Sequence, residues 1–113
     1  PFPRSLELLR QGRNLLVFPE DSARPEDPDI LMKPFFCGFV LLCAMYERDM
    51  GRRLPIYPLV ASPPSRTVAI GHARFLEQYA VRLRDAAENV CHRLHEDMAQ
   101  MYRSLRDGFV RHF

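Results

Sequence analysis

The sequence predicts an α/β fold: a small mixed or parallel sheet covered by helices, with a long amphipathic helix at the carboxyl-terminal end. Residues 15–18 form a short apolar run that does not alternate, which is typical of a strand buried on both faces. Residues 35–50 form a longer apolar run, and residues 75–109 carry apolar side chains at helical spacing. The chain has 113 residues, 47% of them hydrophobic and 27% charged, so one globular domain over residues 1–113 is expected.

The first part of the chain is predicted to hold a helix, a strand and a loop. Residues 4–10 carry leucines on overlapping helical faces, and Gly12 fits the end of that helix. The apolar run at residues 15–18 is the predicted strand, and it is closed by Pro19. Residues 19–34 are rich in proline and acidic residues, so they cross the surface or line a site. We therefore look for function in this loop.

The middle of the chain is predicted to contain a buried helix and two strands. Residues 35–50 are apolar enough for the helix, and Gly51 stops it. Residues 54–60 read as a strand whose two prolines must lie at its ends or at an edge of the sheet. A turn at residues 62–65 leads to a third strand over residues 66–70.

The carboxyl-terminal helix is predicted to have one continuous apolar stripe. Its end, from Met98 onward, should pack on the sheet or on another chain, which predicts a homodimer through this helix. Arginines among acidic residues on the opposite face predict a solvated face, with an anionic lipid surface as the alternative. The stripe consists of Leu83, Ala87, Val90, Leu94, Met98, Met101, Leu105 and Phe109.

Charge and cysteine content exclude several classes of protein. A net charge of +2 is too small for a dedicated nucleic-acid-binding domain. Three cysteines at spacings typical of neither a disulfide framework nor a metal site predict a reducing, cytoplasmic location, with peripheral contact at the inner face of a membrane as an option.

The longest apolar stretch, residues 35–46, is shorter than the ~20 residues that span a bilayer. The first residue is Pro1, not methionine, so we expect that the chain is a fragment.

Polar residues directly after the first predicted strand are the candidate binding site. A carboxylate and an arginine at the carboxyl end of a buried strand lie where α/β sheets commonly bind ligands. The arginine can hold a phosphate, and the acid can accept a hydroxyl hydrogen. The alternative is a surface turn with a local ion pair. The candidate substrate-binding residues are Phe18, Pro19, Glu20, Ser22 and Arg24, and no metal site or bound cofactor is predicted.

Two segments of the sequence resemble blocks of the glycerolipid acyltransferase family, whose members acylate glycerol phosphate and lysophosphatidic acid. Residues 15–20, Leu-Leu-Val-Phe-Pro-Glu, resemble the strand and the start of the family's third block, F-P-E-G-T-R-S. Residues 54–59, Leu-Pro-Ile-Tyr-Pro-Leu, resemble its fourth block, V-P-I-V-P-V. Lys33 and Gly38 resemble its lysine-x-glycine segment at a longer spacing, and residues 68–71 resemble the strand and glycine that follow.

The resemblance implies that the chain is the carboxyl-terminal part of an acyltransferase-like domain. It implies a fatty acyl group donated by acyl-coenzyme A or acyl carrier protein and a hydroxyl acceptor such as a lysophospholipid, as in phospholipid biosynthesis. In this comparison Glu20 positions the acceptor, and Phe18 and Pro19 shape the turn. Asp21 stands where the family has glycine, and Ala23 where it has a phosphate-binding arginine, with Arg24 displaced by one position.

The family's first block, N-H-x-x-x-x-D, supplies the general base and its orienting carboxylate, and no histidine precedes Phe18. His92 and Asp97 have the same spacing but lie in the predicted carboxyl-terminal helix, where residues five apart diverge by about 140°. No catalytic residue is therefore assigned, and this chain alone is expected to be inactive. The alternatives are a non-catalytic lipid-binding or protein-interaction domain on the same scaffold, and an unrelated α/β domain.

Overall fold

The computed structural model describes residues 2–21, 23–25, 27, 29–30, 32–77 and 82–106. These residues form helices α1 (Phe2–Arg10), α2 (Phe39–Met50) and α3 (Leu83–Arg106), and strands β1 (Leu59–Ser62) and β2 (Thr67–Ile70). The prediction of helices, a small sheet and a long carboxyl-terminal helix is confirmed.

Helix α1 ends just before Gly12, the glycine that the sequence indicated as its end. Gly12 has a positive φ of 81°, and its N–H and that of Arg13 donate to carbonyls of the last helical turn. Leu6 and Leu9 of α1 are buried against α2. The carboxylate of Asp49 accepts a hydrogen bond from Arg10, and this contact holds the pKa of Asp49 below its usual value.

Helix α2 is shorter than predicted, because it begins at Phe39 and not at residue 35. The backbone just before α2 forms hydrogen bonds with another segment of the chain. The carbonyl of Pro34 accepts a hydrogen bond from Asp21 N–H, and Phe36 N–H donates to the carbonyl of Pro19, both at 2.8 Å. These bonds form an antiparallel bridge that holds residues 34–36 in an extended conformation. Gly51, with φ of 66°, ends the helix as predicted.

The sheet of the described chain is an antiparallel hairpin, so the prediction of a parallel or mixed sheet is wrong. Leu59 pairs with Ile70 and Ser62 with Thr67. The connection between β1 and β2 has only four residues, and a parallel crossover needs a dozen or more. Arg66 completes this turn with a left-handed φ of 51°.

The predicted strand at residues 15–18 is wrong. Leu16 is 68% exposed and Phe18 is 86% exposed, and the segment forms no ladder with any described strand. A short apolar run predicts burial, but burial requires neighbours on both faces. Here one face of the segment borders a cavity.

The predicted strand at residues 54–60 is present only in part. Leu59 and Val60 belong to β1, whereas Ile56 forms an isolated bridge with Arg74. Pro58 lies between these pairings, and a proline has no N–H to donate to a ladder. Pro58 nevertheless accepts a hydrogen bond from Gly71 N–H at 2.9 Å. The two backbone segments therefore stay side by side between the bridge and the hairpin.

Helix α3 packs against β1 and α2 and buries the middle of the predicted stripe, whereas Leu83 at its start is 45% exposed. It begins at Leu83, later than predicted, and residues 107–109 lie outside the described chain. Met101 is almost fully buried, whereas Met98 and Leu105 are half-buried. The homodimer stays a prediction. None of helices α1 to α3 is both long enough and apolar enough to cross a membrane.

Asp97→Ala should lower the free energy of unfolding by about 1–2 kcal/mol, because Asp97 fixes the segment after β2 to α3. Its two carboxylate oxygens accept hydrogen bonds from Nε and Nη2 of Arg74 at 2.8 and 2.9 Å. Urea unfolding measures the effect. Glu96→Ala is the matched control, since Glu96 is exposed and its carboxylate contacts its helix neighbour His92. Equal losses in the two variants would contradict this role for Asp97.

Candidate functional site

The main cavity of the described structure has a volume of about 800 Å³ and lies beside residues 15–20. We call it the apolar cavity. It is lined by residues 12–20, by residues 54–59, and by Ala61 and Ile70 of the hairpin. The helices also contribute to the lining. Their lining residues are Leu9, Phe39, Leu42, Cys43, Tyr46, Leu94, Met98 and Tyr102.

Three of the predicted substrate-binding residues line the apolar cavity: Phe18, Pro19 and Glu20. The bridge to residues 34–36 fixes this turn through the carbonyl of Pro19. The carboxylate of Glu20 accepts a hydrogen bond from the backbone N–H of Lys33 at 3.2 Å. Because Glu20 is exposed and also lines the cavity, its carboxylate lies at the opening.

Arg24 does not line this cavity, contrary to the expectation that it would face a cleft. Its Nε lies 3.5 Å from Oδ2 of Asp21, and its side chain is 61% exposed. Asp21 Oδ1 also accepts the N–H of Ala23 at 3.0 Å, which closes a compact surface turn. This is the local ion pair that the sequence left open as an alternative. Ser22 lies outside the described residues, and anion binding by Arg24 stays a prediction.

The second matching segment also lines the cavity, and the predicted glycine packs against it. Residues 54–59 all line the cavity. Gly71 is buried against Pro58, and a Cβ added at Gly71 would lie 2.7 Å from Pro58 Cγ and 3.3 Å from Met101 Sδ. Sequence segments that are far apart in the chain are thus brought together at one side of the cavity.

The sequence did not identify the cavity residues contributed by the helices. Tyr46, Leu94, Met98 and Tyr102 have no motif of their own. The predicted stripe included Leu94 and Met98, whereas Tyr46 and Tyr102 were not assigned to a buried face. The cavity forms where α2 and α3 meet residues 12–20 and 54–59. This is tertiary packing, which a local sequence pattern does not predict.

The thiols near the cavity are not nucleophiles at neutral pH. Burial, assisted by the nearby charge of Glu47, raises the pKa of Cys43 to about 11. Burial and the neighbouring Cys37 also raise the pKa of Cys91. A protonated thiol is a weak nucleophile, so covalent catalysis by these cysteines is not supported. Among the described residues, no group of three or more acidic, histidine or cysteine side chains is arranged to hold a metal ion.

No histidine of the described chain lines the apolar cavity, although His95 packs on Phe35, which does line it. His92 is exposed and its Nε2 lies 2.8 Å from Glu96, whereas Asp97 binds Arg74. The side chains of His92 and Asp97 therefore have different partners, as their separation around the helix predicts. The ring of His95 packs edge-on against Phe35, with centroids 4.8 Å apart.

Comparisons with protein-family models, curated proteins and solved structures found no match to this chain.

Proposed function

We propose that this chain forms the lipid-binding part of an acyltransferase of the glycerolipid family. The reaction moves a fatty acyl group from acyl-coenzyme A or acyl carrier protein to a hydroxyl acceptor such as a lysophospholipid. The observation that supports the proposal is the apolar cavity, whose lining includes both segments that resemble the third and fourth family blocks.

The size and chemistry of the cavity fit an acyl chain. Its volume of about 800 Å³ lies within the usual range for small-molecule sites, and most of its lining residues are apolar or aromatic. Each methylene removed from water contributes about 0.8 kcal/mol to binding. Side chains of Tyr46, Tyr57 and Tyr102 add hydroxyl groups that can hydrogen-bond the polar end of a lipid.

The charged residues of the lining suggest how the head of the lipid is placed. Among the described residues they are Arg13 and Glu20, and both are exposed. A carboxylate at the opening accepts a hydrogen bond from a hydroxyl group and repels a phosphate. An acceptor hydroxyl beside Glu20, with any anionic group directed toward Arg13, is the arrangement that these charges favour.

Exposed apolar side chains around the opening support peripheral contact with a lipid surface. Leu16, Phe18, Tyr57 and Ile70 line the cavity and are largely exposed, and Val68 extends the same exposed face of the hairpin. Such a patch on a protein without a covering partner is typical of an interaction surface. A lipid could pass from that surface into the cavity without its chain entering water.

A non-catalytic lipid-binding domain is the second candidate function. Two observations favour it: Arg24 is directed to Asp21 and not to the cavity, and no histidine lines the described cavity. Both candidates require the cavity to bind an acyl chain. They differ in turnover by the whole protein, for which we propose that the general base belongs to residues outside this chain.

Ala61→Phe should weaken the binding of palmitoyl-coenzyme A and of lysophosphatidylcholine by at least about tenfold. Ala61 is an exposed β1 residue that lines the cavity, so a phenyl ring there fills part of the space without disturbing the core. Calorimetric titration below the critical micelle concentration measures both affinities.

Val68→Phe is the matched control for this experiment. Val68 pairs with Ala61 across the hairpin and does not line the cavity, so affinity should stay within about twofold. Circular dichroism must show that both variants are folded. Equal weakening by both substitutions, or none by Ala61→Phe, would contradict binding in the cavity.

A further inference from the structure

A second, smaller cavity carries a concentration of guanidinium groups. It has a volume of about 250 Å³ and we call it the arginine cavity. It shares no lining residue with the apolar cavity. The lining residues are Arg53, Ala73, Arg74, Phe75, Glu77, Val90 and Arg93.

The three arginines are held in different ways. Arg74 is fixed through two hydrogen bonds to Asp97 and through the backbone bridge to Ile56, so it forms a rigid wall. The guanidinium carbon of Arg53 lies 4.3 Å from the centroid of the Phe75 ring. Stacking on an aromatic face orients a guanidinium group while leaving its edge N–H donors available.

Arg93 has the partner that is most easily replaced. Its Nη2 lies 3.6 Å from a carboxylate oxygen of Glu77, which is longer than a hydrogen bond, and the two side chains are 54% and 48% exposed. Exposed pairs of this kind contribute little free energy. The Glu77 carboxylate thus shows that an anionic oxygen fits beside Arg93. Because this contact is weak, a ligand oxygen can replace it.

We propose that the arginine cavity binds a phosphate monoester, with Arg53 and Arg93 as the groups that hold its oxygens. Guanidinium groups match phosphate oxygens in a two-pronged geometry that no other side chain offers. The cavity accommodates a phosphoryl group but is small for a whole nucleotide, so the rest of the ligand lies outside it. The proposal does not depend on the function of the apolar cavity.

Acidic neighbours set the affinity of this site. Asp97 compensates Arg74, and the charge of Arg53 also acts on Glu47. Glu96 lies close enough to Arg74 to raise its pKa, together with Asp97. Glu77 is the acidic residue of the lining itself, so it competes with an incoming phosphate. Replacing its carboxylate with a neutral group should therefore strengthen phosphate binding.

Titration of the 113-residue chain with inorganic phosphate, followed by ¹H–¹⁵N NMR, tests the proposal. Saturable shifts are expected at the amides around the arginine cavity. Arg53→Gln and Arg93→Gln should each weaken the affinity by about tenfold, since each removes a charge-assisted contact. Glu77→Gln should strengthen it several-fold. Arg84→Gln is the control, because Arg84 lies on the same helix as Arg93 and is exposed beside Glu88.

The outcomes separate the sources of the phosphate and the competing explanations. Additional binding to phosphatidylcholine vesicles that contain phosphatidic acid would assign a lipid headgroup, and binding of free phosphate and glycerol phosphate alone would assign a soluble ligand. Absence of saturable binding, weaker binding by Glu77→Gln, or an equal loss in Arg84→Gln would overturn the proposal. Ala61→Phe should leave phosphate binding unchanged, so this test and that of the apolar cavity can fail independently.

Discussion

Gly71→Ala should lower the free energy of unfolding by about 1–3 kcal/mol, because the site has no room for a methyl group. The new Cβ would lie 2.7 Å from Cγ of Pro58, so the proline ring or the backbone must move. Gly71 also donates its N–H to the Pro58 carbonyl, which limits that movement. In a domain of this size each kcal/mol corresponds to a decrease of about 4–8 °C in melting temperature.

Gly38→Ala is the control for this prediction. Gly38 precedes α2 with right-handed helical angles, and a Cβ added there has no neighbour within 4 Å. Its melting temperature should stay within about 2 °C of the parent chain or rise, because alanine reduces the entropy of the unfolded chain. A Gly71→Ala variant as stable as Gly38→Ala would show that residues 54–59 and the end of β2 are not packed as described.

The 113-residue chain alone should show no acyl transfer above background. General-base catalysis contributes typically 100- to 10,000-fold, and no histidine of the described chain lines the apolar cavity. Incubation with palmitoyl-coenzyme A and a panel of lysolipid acceptors, followed by thiol release, measures the activity. Binding of the lipid should remain measurable in the same samples.

His92→Ala gives this experiment a second readout. Turnover that disappears in His92→Ala would show that the exposed histidine of α3 is the base, against its position beside Glu96. Turnover that survives the substitution would show that another group activates the acceptor. Either result would contradict our proposal that the base belongs to residues outside this chain.

The helices of this protein were predictable because their apolar spacing is a local property. The stripe of α3 indicated which residues, such as Val90, Leu94 and Met101, are buried. The start of α2 was not predictable, because hydrogen bonds with Pro19 and Asp21 hold residues 34–36 in an extended conformation. Such a competition involves residues distant in the chain.

The candidate site was predictable at its turn and not at its walls. The Phe-Pro-Glu sequence located Glu20 at the cavity opening, but Arg24 turned to its local partner Asp21. An ion pair within a turn closes with little loss of entropy, so it competes well with a distant cleft. The arginine cavity is likewise invisible in the sequence, because Arg53 and Arg93 are brought together only by the packing of α3 on the segment after β2.

The position of a bound acyl chain tests the central claim most directly. Isotope-filtered NMR can detect contacts between unlabelled palmitoyl-coenzyme A and the ¹³C-labelled chain. We expect nuclear Overhauser effects from the palmitoyl methylenes to Leu94, Met98 and Tyr102, all of which line the apolar cavity. Contacts restricted to exposed side chains outside it, such as Ile30 and Val68, would contradict the assignment of the cavity as the acyl-binding site.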